Sequence, residues 1–265
     1  MIFTTIAKAK KQTGLSYLGG INISSKMIKN KKVSGNYTYI IYLAPANQSG
    51  YNVCLFSTPE CRLGCLATSG RASMELHSNG IKRIQNARIT KSKLFFQKQD
   101  FFMQWMIAEI KMYQKKALKD GYEFSVRLNG TSDIDYTRKR FNGMTIFEHF
   151  PETMFYDYTK QITKFSWLPN NYDLTFSYSG HNVDECKMVL ESKMNIAVVF
   201  DVKKGKALPE TFMGYPVVDG DLTDARFLDE KGVVIGLRFK KIADKEAESK
   251  VLNSVFVVKP YSTNL

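Results

Sequence analysis

From Gly121 onward the chain is punctuated by short β-branched and aromatic runs that close on polar or glycine residues. This rhythm limits the fold more than any other feature. The runs are FSVRLN (124–129), TMFYDYT (153–159), LTFSYS (174–179), NIAVVFD (195–201), YPVVDGD (215–221) and GVVIGLR (232–238), with helical character between them at 143–150 and 182–192. Upstream, YTYIIYLA (37–44) has the same composition and reads as a buried strand. Strand and helix in alternation predict an α/β fold. The expected form is a partial (βα) barrel of mainly parallel strands, with a cysteine-bearing loop after the first strand and a basic N-terminal arm. A last run, SVFVVKP, is expected to pair at an edge.

Two further segments have a helical reading. Asp100 is placed as the N-cap of FFMQWMIAEIKMYQKKALKDG, in which Phe102, Trp105, Met106, Ile110 and Tyr113 recur at helical spacing and form a buried stripe. A shorter helix is expected from near Glu60, just after Pro59, to about Gly70, and helical register returns from about Ile81. Residues 1–36 are basic, punctuated by Gly and Ser, and weak in hydrophobic pattern, which predicts an arm with one hairpin. Residues 37–265 then form a single α/β domain, a size that one domain of this class accommodates.

In parallel α/β sheets ligands bind where the carboxyl ends of strands and their loops converge. The strand ends here are Asn129, Gly130, Thr131, Ser132 and Asp133; Asp157 to Thr159; Ser177 and Ser179 followed by Asn182; Asp201; Asp219 and Asp221; and Arg238. Each alone is an ordinary turn or cap. Together they predict a site.

Within 51–71, YNVCLFSTPECRLGCLATSGR, stand three of the chain's four cysteines, Cys54, Cys61 and Cys65. Thiolates select zinc, cuprous copper or iron-sulfur clusters. Structural zinc sites present two short ligand pairs, and only Cys61 and Cys65 make one. The histidines His77, His149 and His181 are scattered singly. Three thiolates from one loop instead suit a [4Fe-4S] cluster with one iron left open for a ligand. Cys186, far off in NVDECKMVL, reads as a buried thiol, with a fourth-ligand role as the alternative. Disulfides are disfavoured by the odd count and the absence of export signals. A cysteine nucleophile with His77 as base is a further alternative, and Tyr158 beside Asp157 a candidate acid, although an aromatic there usually packs. No P-loop or dinucleotide-binding fingerprint is present.

Lys and Arg number 38 against 25 Asp and Glu, a net charge of +13. Such a field attracts polyanions, so nucleic acid enters as a partner beside the plainer reading of a solvated face. The lysines crowd at Lys8, Lys10, Lys11, Lys26, Lys29, Lys31 and Lys32, and Lys82, Arg83, Arg88, Lys91 and Lys93 follow the cysteine block. No apolar run reaches the length of a membrane span, and the start, MIFTTIAKAKKQTG, lacks the apolar core of a signal peptide, so a cytoplasmic protein without membrane partners is expected.

The run LAPANQSGYNVCLFSTPECRLGCLATSGR, followed by VRLNGTSDI, FYDYTK, LTFSYSGHN, ALPETFMGYPVVDGD and DARFLDEKGVVIGLRFK, resembles the phage-encoded gene product 88 domain family over about residues 43–258. The resemblance implies a phage origin, hence the host cytosol. It makes Cys54, Cys61 and Cys65 the signature and leaves Cys186 unmarked, which implies three ligands. In layout the chain is also similar to radical S-adenosylmethionine enzymes, which place three cysteines in the loop after the first strand of a partial βα barrel. Its spacing departs from theirs, with six then three intervening residues in place of three then two. That similarity implies S-adenosylmethionine at the open iron. Asn129, Gly130, Thr131, Ser132 and Asp133 would contact its methionine portion, Ser177, Ser179 and Asn182 its ribose, and Asp219 or Asp221 its adenine side or the substrate. Two classes of function remain. One is a [4Fe-4S]-dependent enzyme of radical, Lewis-acid or sulfur-transfer type acting on a small-molecule or nucleotide ligand. The other is a binding module for nucleic acid or a host protein, in which cluster or zinc is structural.

Overall fold

The computed structural model describes residues 1–21, 25–65 and 83–260. Its elements in chain order are α1 (Ile6–Thr13), β1 (Gly19–Gly20), α2 (Ser25–Ser34), β2 (Asn36–Ile41), α3 (Pro59–Leu63), α4 (Arg83–Gln97), α5 (Gln99–Lys119) and β3 (Glu123–Arg127). There follow β4 (Arg140–Phe141), β5 (Met144–Thr145), α6 (Ile146–His149), β6 (Met154–Thr159), β7 (Tyr172–Ser177), α7 (Val183–Glu191) and β8 (Ile196–Phe200). The last are β9 (Thr211–Phe212), β10 (Tyr215–Asp219), β11 (Val234–Arg238), α8 (Lys245–Leu252) and β12 (Val257–Val258).

A ten-stranded sheet in the order β1-β2-β3-β6-β7-β8-β11-β10-β9, with β12 added to β8, runs through the molecule. Its pairings are parallel except at the two ends, β1 on β2 and β9 on β10. From β2 to β8 the order advances one way. Because crossovers between parallel strands are right-handed, such an order sends the connecting chain to one face. That face is apolar: Tyr37, Tyr39, Ile41, Val126, Phe155, Tyr172 and Leu174 are buried in one cluster with Phe95 of α4 and Phe102, Trp105, Met106 and Ile110 of α5. Each such side chain contributes roughly 1.5–3 kcal/mol on burial, so the α5 stripe is the main clamp on this half of the sheet. The two terminal strands, β1 and β9, do not pair with one another, so the sheet is open rather than a closed barrel.

The opposite face is polar. Asn36, Thr38, Ser125, Arg127, Tyr156 and Thr175 are buried there. Ser125 donates to Asn36 Oδ1 at 2.6 Å, and Asn30 of α2 donates to Thr38 at 3.1 Å. Residues 220–229, leaving β10, run back across this face. The Asp224 N–H donates to Asn30 Oδ1 at 2.7 Å, Asp224 takes a 2.7 Å bond from Arg127, and Phe227 packs on Tyr156. Buried polar groups are tolerated only when partnered, and this segment supplies the partners.

Several boundaries depart from the sequence reading. Among the described residues before 37 the chain forms α1, β1 and α2 rather than a hairpin arm, and it is fixed by Glu109, whose carboxylate accepts from Leu18 N, Gly19 N (3.0 Å) and Tyr39 Oη (2.8 Å). The terminal run does not lie at an edge. β8 gives one side to β11 over its whole length and pairs with β7 only at Ile196 and Ala197, so β12, on Val199 and Phe200, wedges between β7 and β8. Lys98, not Asp100, is the N-cap of α5, with Asp100 in its first turn. Residues 143–145 belong to the β4–β5 hairpin side rather than to α6, whose capping box pairs Thr145 with Glu148. The helix begun at Pro59 stops at Gly64, and the expected continuation to Gly70, with His77 and Ile81, lies outside the described residues.

Candidate functional site

A cavity of about 240 Å³ opens at the carboxyl ends of the parallel strands, and Cys54, Cys61 and Cys65 all line it. The loop that carries them is built by local turns. Gln48 N–H bonds to Pro45 O, Gly50 N–H to Asn47 O, and Val53 N–H to Ala46 O, with Gly50 at φ +85°, a conformation open to glycine. The Asn52 side chain then accepts from Cys54 N at 2.9 Å, and the Cys54 carbonyl takes the Ser57 hydroxyl at 2.8 Å. Thr58 caps α3 by accepting from Cys61 N at 3.2 Å, with Pro59 at the first turn, where its missing N–H costs nothing. Cys61 therefore sits inside a capped turn and Cys65 just beyond its end.

The loop after β3 is the platform under the cysteines. Asp157, fully buried on β6, accepts from Asn129 N at 2.8 Å, Asn129 Nδ2 at 3.1 Å and Tyr172 Oη at 3.1 Å. Asn129 in turn accepts from Ser132 Oγ and Ile134 N, winding 129–134 into a tight loop. The loop is stapled to the cysteine segment by Thr131 Oγ1 to Leu43 O (2.6 Å) and Asp133 N to Val53 O (2.8 Å), and Cys54 Sγ lies 3.9 Å from Thr131 O. Gly130 has no room for a side chain, since a Cβ there would stand 2.6 Å from Ile41 O and 2.7 Å from the Tyr42 ring. Asp133 is neutralised by Lys164, whose ammonium reaches it at 2.6 Å with its side chain fully covered.

Burial sets the proton affinities. It pushes the Cys54 thiol up to about 12, with the charges of Cys65, Asp133 and Cys61 acting in the same direction against a backbone hydrogen bond. It raises the Asp157 carboxyl to about 6, outweighing Arg127, the Asn129 N–H and Lys164. Cys186 is fully buried in α7, its thiol also pushed up to about 12, first by burial and then by Glu185.

Of the residues singled out from strand ends, Asn129, Gly130, Thr131, Ser132, Asp133 and Ser177 line the cavity, and Ser179, Asn182, Asp219 and Asp221 do not. Ser179 N and Oγ both donate to Asn182 Oδ1, and Asn182 Nδ2 returns to Ser177 O, a closed knot at the start of α7. Asp219 and Asp221 hold Arg238, which lines the cavity: Nη1 is 2.8 Å from Asp219 and 3.3 Å from Asp221. Burial acts to raise the Asp219 carboxyl, but hydrogen bonds from Arg238 and the Asp221 backbone prevail and hold it below the usual range. Tyr158 lines the cavity, whereas Asp157 beside it projects to the other side of β6, toward Tyr172 and Asn129.

Sequence reasoning passed over Arg127 and Lys160, which also line the cavity. The one available signal was a charged residue in the middle of the apolar run FSVRLN. Among the described residues no group of three or more His, Cys, Asp or Glu converges to hold a metal ion.

The sequence model of the family described as "Gene product 88" matches residues 8–253. The match reaches back into α1, beyond the start of the span of about 43–258 read from the motifs, and ends at 253. No curated protein and no solved structure matches the chain.

Proposed function

The chain belongs to the gene product 88 family, and from that premise we propose that it is an iron-sulfur protein whose Cys54, Cys61 and Cys65 hold a [4Fe-4S] cluster with one iron open to a ligand in the cavity. The observation that carries this reading is that three of the four cysteines line one cavity at the strand carboxyl ends while the fourth is packed inside α7. A single ion needs all its thiolates about 2.3 Å from one point. A cubane instead attaches each thiolate to a different iron, so its three cysteines need to share one wall rather than meet at one point. When bound, such a cluster supplies an electron or an open Lewis-acid iron at the cavity. The chain's own residues do the rest: the 129–134 loop positions Cys54, Asp157 holds that loop, and Arg238, pinned by two aspartates, presents a fixed cation to the cavity. The one-way strand order, with residues 220–229 filling the polar face, supports a partial-barrel description of the open sheet.

On this reading the protein is an enzyme acting on S-adenosylmethionine or on another small ligand at the open iron. Electron paramagnetic resonance of the reduced, anaerobically purified protein tests it. A cluster signal that shifts on adding S-adenosylmethionine is expected, and the absence of a cluster signal refutes the reading. A second reading, polyanion binding, rests on the +13 charge and on the exposed Lys8, Lys10, Lys11, Lys29 and Lys32 of α1 and α2. It predicts DNA or RNA binding that weakens steeply with salt and shows no turnover.

A further inference from the structure

Arg127 is a charged side chain with a binding capacity the fold does not use. It leaves β3 on the polar face and is 5 % exposed, and it lines the cavity. Its Nη1 donates to Asp224 at 2.7 Å. Its Nε forms an ion pair with Asp157 at 3.9 Å, too long for a hydrogen bond, and has no hydrogen-bond partner among the described residues. The guanidinium carbon lies 4.8 Å from the centroid of the Tyr158 ring, a cation–π contact. An unused donor on a buried cation is costly unless something else satisfies it.

Charge around the cavity points the same way. Asp133, the one carboxylate on its wall, is paired with Lys164, and the Arg238 cation is paired with Asp219 and Asp221. Lys160 also lines the cavity, and its ammonium lies 5.9 Å over the Phe256 ring with no carboxylate partner among the described residues. Of these charges the Lys160 ammonium is the one that no carboxylate takes up among the described residues.

We propose that Arg127, with Lys160, forms an anion-recognition site in the cavity, which binds the carboxylate or phosphate of a small ligand. The planar fork of arginine suits either group. The inference rests on the cavity being a ligand site, as in the reading above, but not on the cluster.

Isothermal titration calorimetry at fixed ionic strength, on protein purified anaerobically, tests the site with two matched pairs: AMP against adenosine, and methionine against methioninamide. Preference for AMP identifies phosphate and preference for methionine identifies carboxylate. An anionic probe is expected to bind about ten-fold or more tightly than its partner lacking the anion. Arg127→Lys keeps a cation opposite Asp224 and is expected to lose most of that preference. Lys160→Ala, which disturbs no hydrogen bond of the fold, is expected to lose about three-fold. Equal binding within both pairs, no binding of any of the four, or an unchanged preference in folded Lys160→Ala and Arg127→Lys protein would overturn the proposal. Iron content is measured on the same samples. Cys65→Ala protein that has lost iron but keeps the anion preference separates failure of the cluster reading from failure of this one.

Discussion

The strand ends on the two sides of the cavity use similar residues differently. After β2 and β3, polar residues bond to neighbouring segments: the Asn129 backbone and amide to Asp157 on β6, the Thr131 hydroxyl to Leu43 O, and the Asp133 N–H to Val53 O. This couples three strands and leaves three thiols on the wall. After β7 and β10, the polar residues close on themselves, Ser179 with Asn182 and Asp219 with Asp221 around Arg238. The first arrangement builds a site from long-range bonds. The second braces its rim by local bonds and by Arg238 reaching across from β11. Equal polarity at a strand end thus says little about ligand contact until the bonding partners are known.

The comparison is broken most severely at Asp157. Asp157→Ala leaves the Asn129 N–H, the Asn129 amide and the Tyr172 hydroxyl without their acceptor, and is expected to destabilise the fold by about 3–5 kcal/mol in urea unfolding. A loss no larger than that of a rim substitution would show that the platform is not held from β6.

The same carboxyl gives a pH signature. Its folded value of about 6 lies above the ordinary 3.8, so the folded state binds this proton more tightly than the unfolded chain. Its contribution is complete below pH 3.8 and is lost as pH rises through 6, up to about 3 kcal/mol. Unfolding free energies of wild type and Asp157→Asn at pH 4 and 7 isolate it. The wild type should lose more stability than the variant over that interval, and parallel behaviour would place the carboxyl in a less buried setting.

A smaller effect is expected at Gly130→Ala. The new methyl meets the Ile41 carbonyl and must push the loop off β2, costing about 1–3 kcal/mol and lowering the cavity's affinity for any ligand. Least affected should be Asn182→Ala on the braced side. It costs about 1–2 kcal/mol for the lost knot and leaves ligand affinity unchanged, as calorimetry on both variants would reveal. Impaired binding in Asn182→Ala alone would reverse the assignment of the two sides.

The strands were legible because β-branched and aromatic runs report a buried sheet directly: FSVRLN, LTFSYS and NIAVVFD each fall within a few residues of β3, β7 and β8. The N-terminal segment was not, since α1 buries only Ala9 and its anchor, Glu109, lies some ninety residues away. Local pattern carries no trace of such a contact. The wedge of β12 escaped for a similar reason, because its sequence marks a strand but not which pair of strands will part for it. In the site, the shared position of Cys54, Cys61 and Cys65 followed from their spacing. The diversion of Asn182, Asp219 and Asp221 depended on Ser179 and Arg238, which take them up as partners. Arg127 was hidden because one arginine in an apolar strand is visible in the sequence, while its unused Nε is not.

The decisive measurement is iron and sulfide content of anaerobically purified wild-type, Cys65→Ala and Cys186→Ala proteins. About four irons per chain in the wild type, retained in Cys186→Ala and lost in Cys65→Ala, is the predicted result. Iron-free wild type, or loss of iron from Cys186→Ala, would contradict the assignment of an open-iron cluster to Cys54, Cys61 and Cys65.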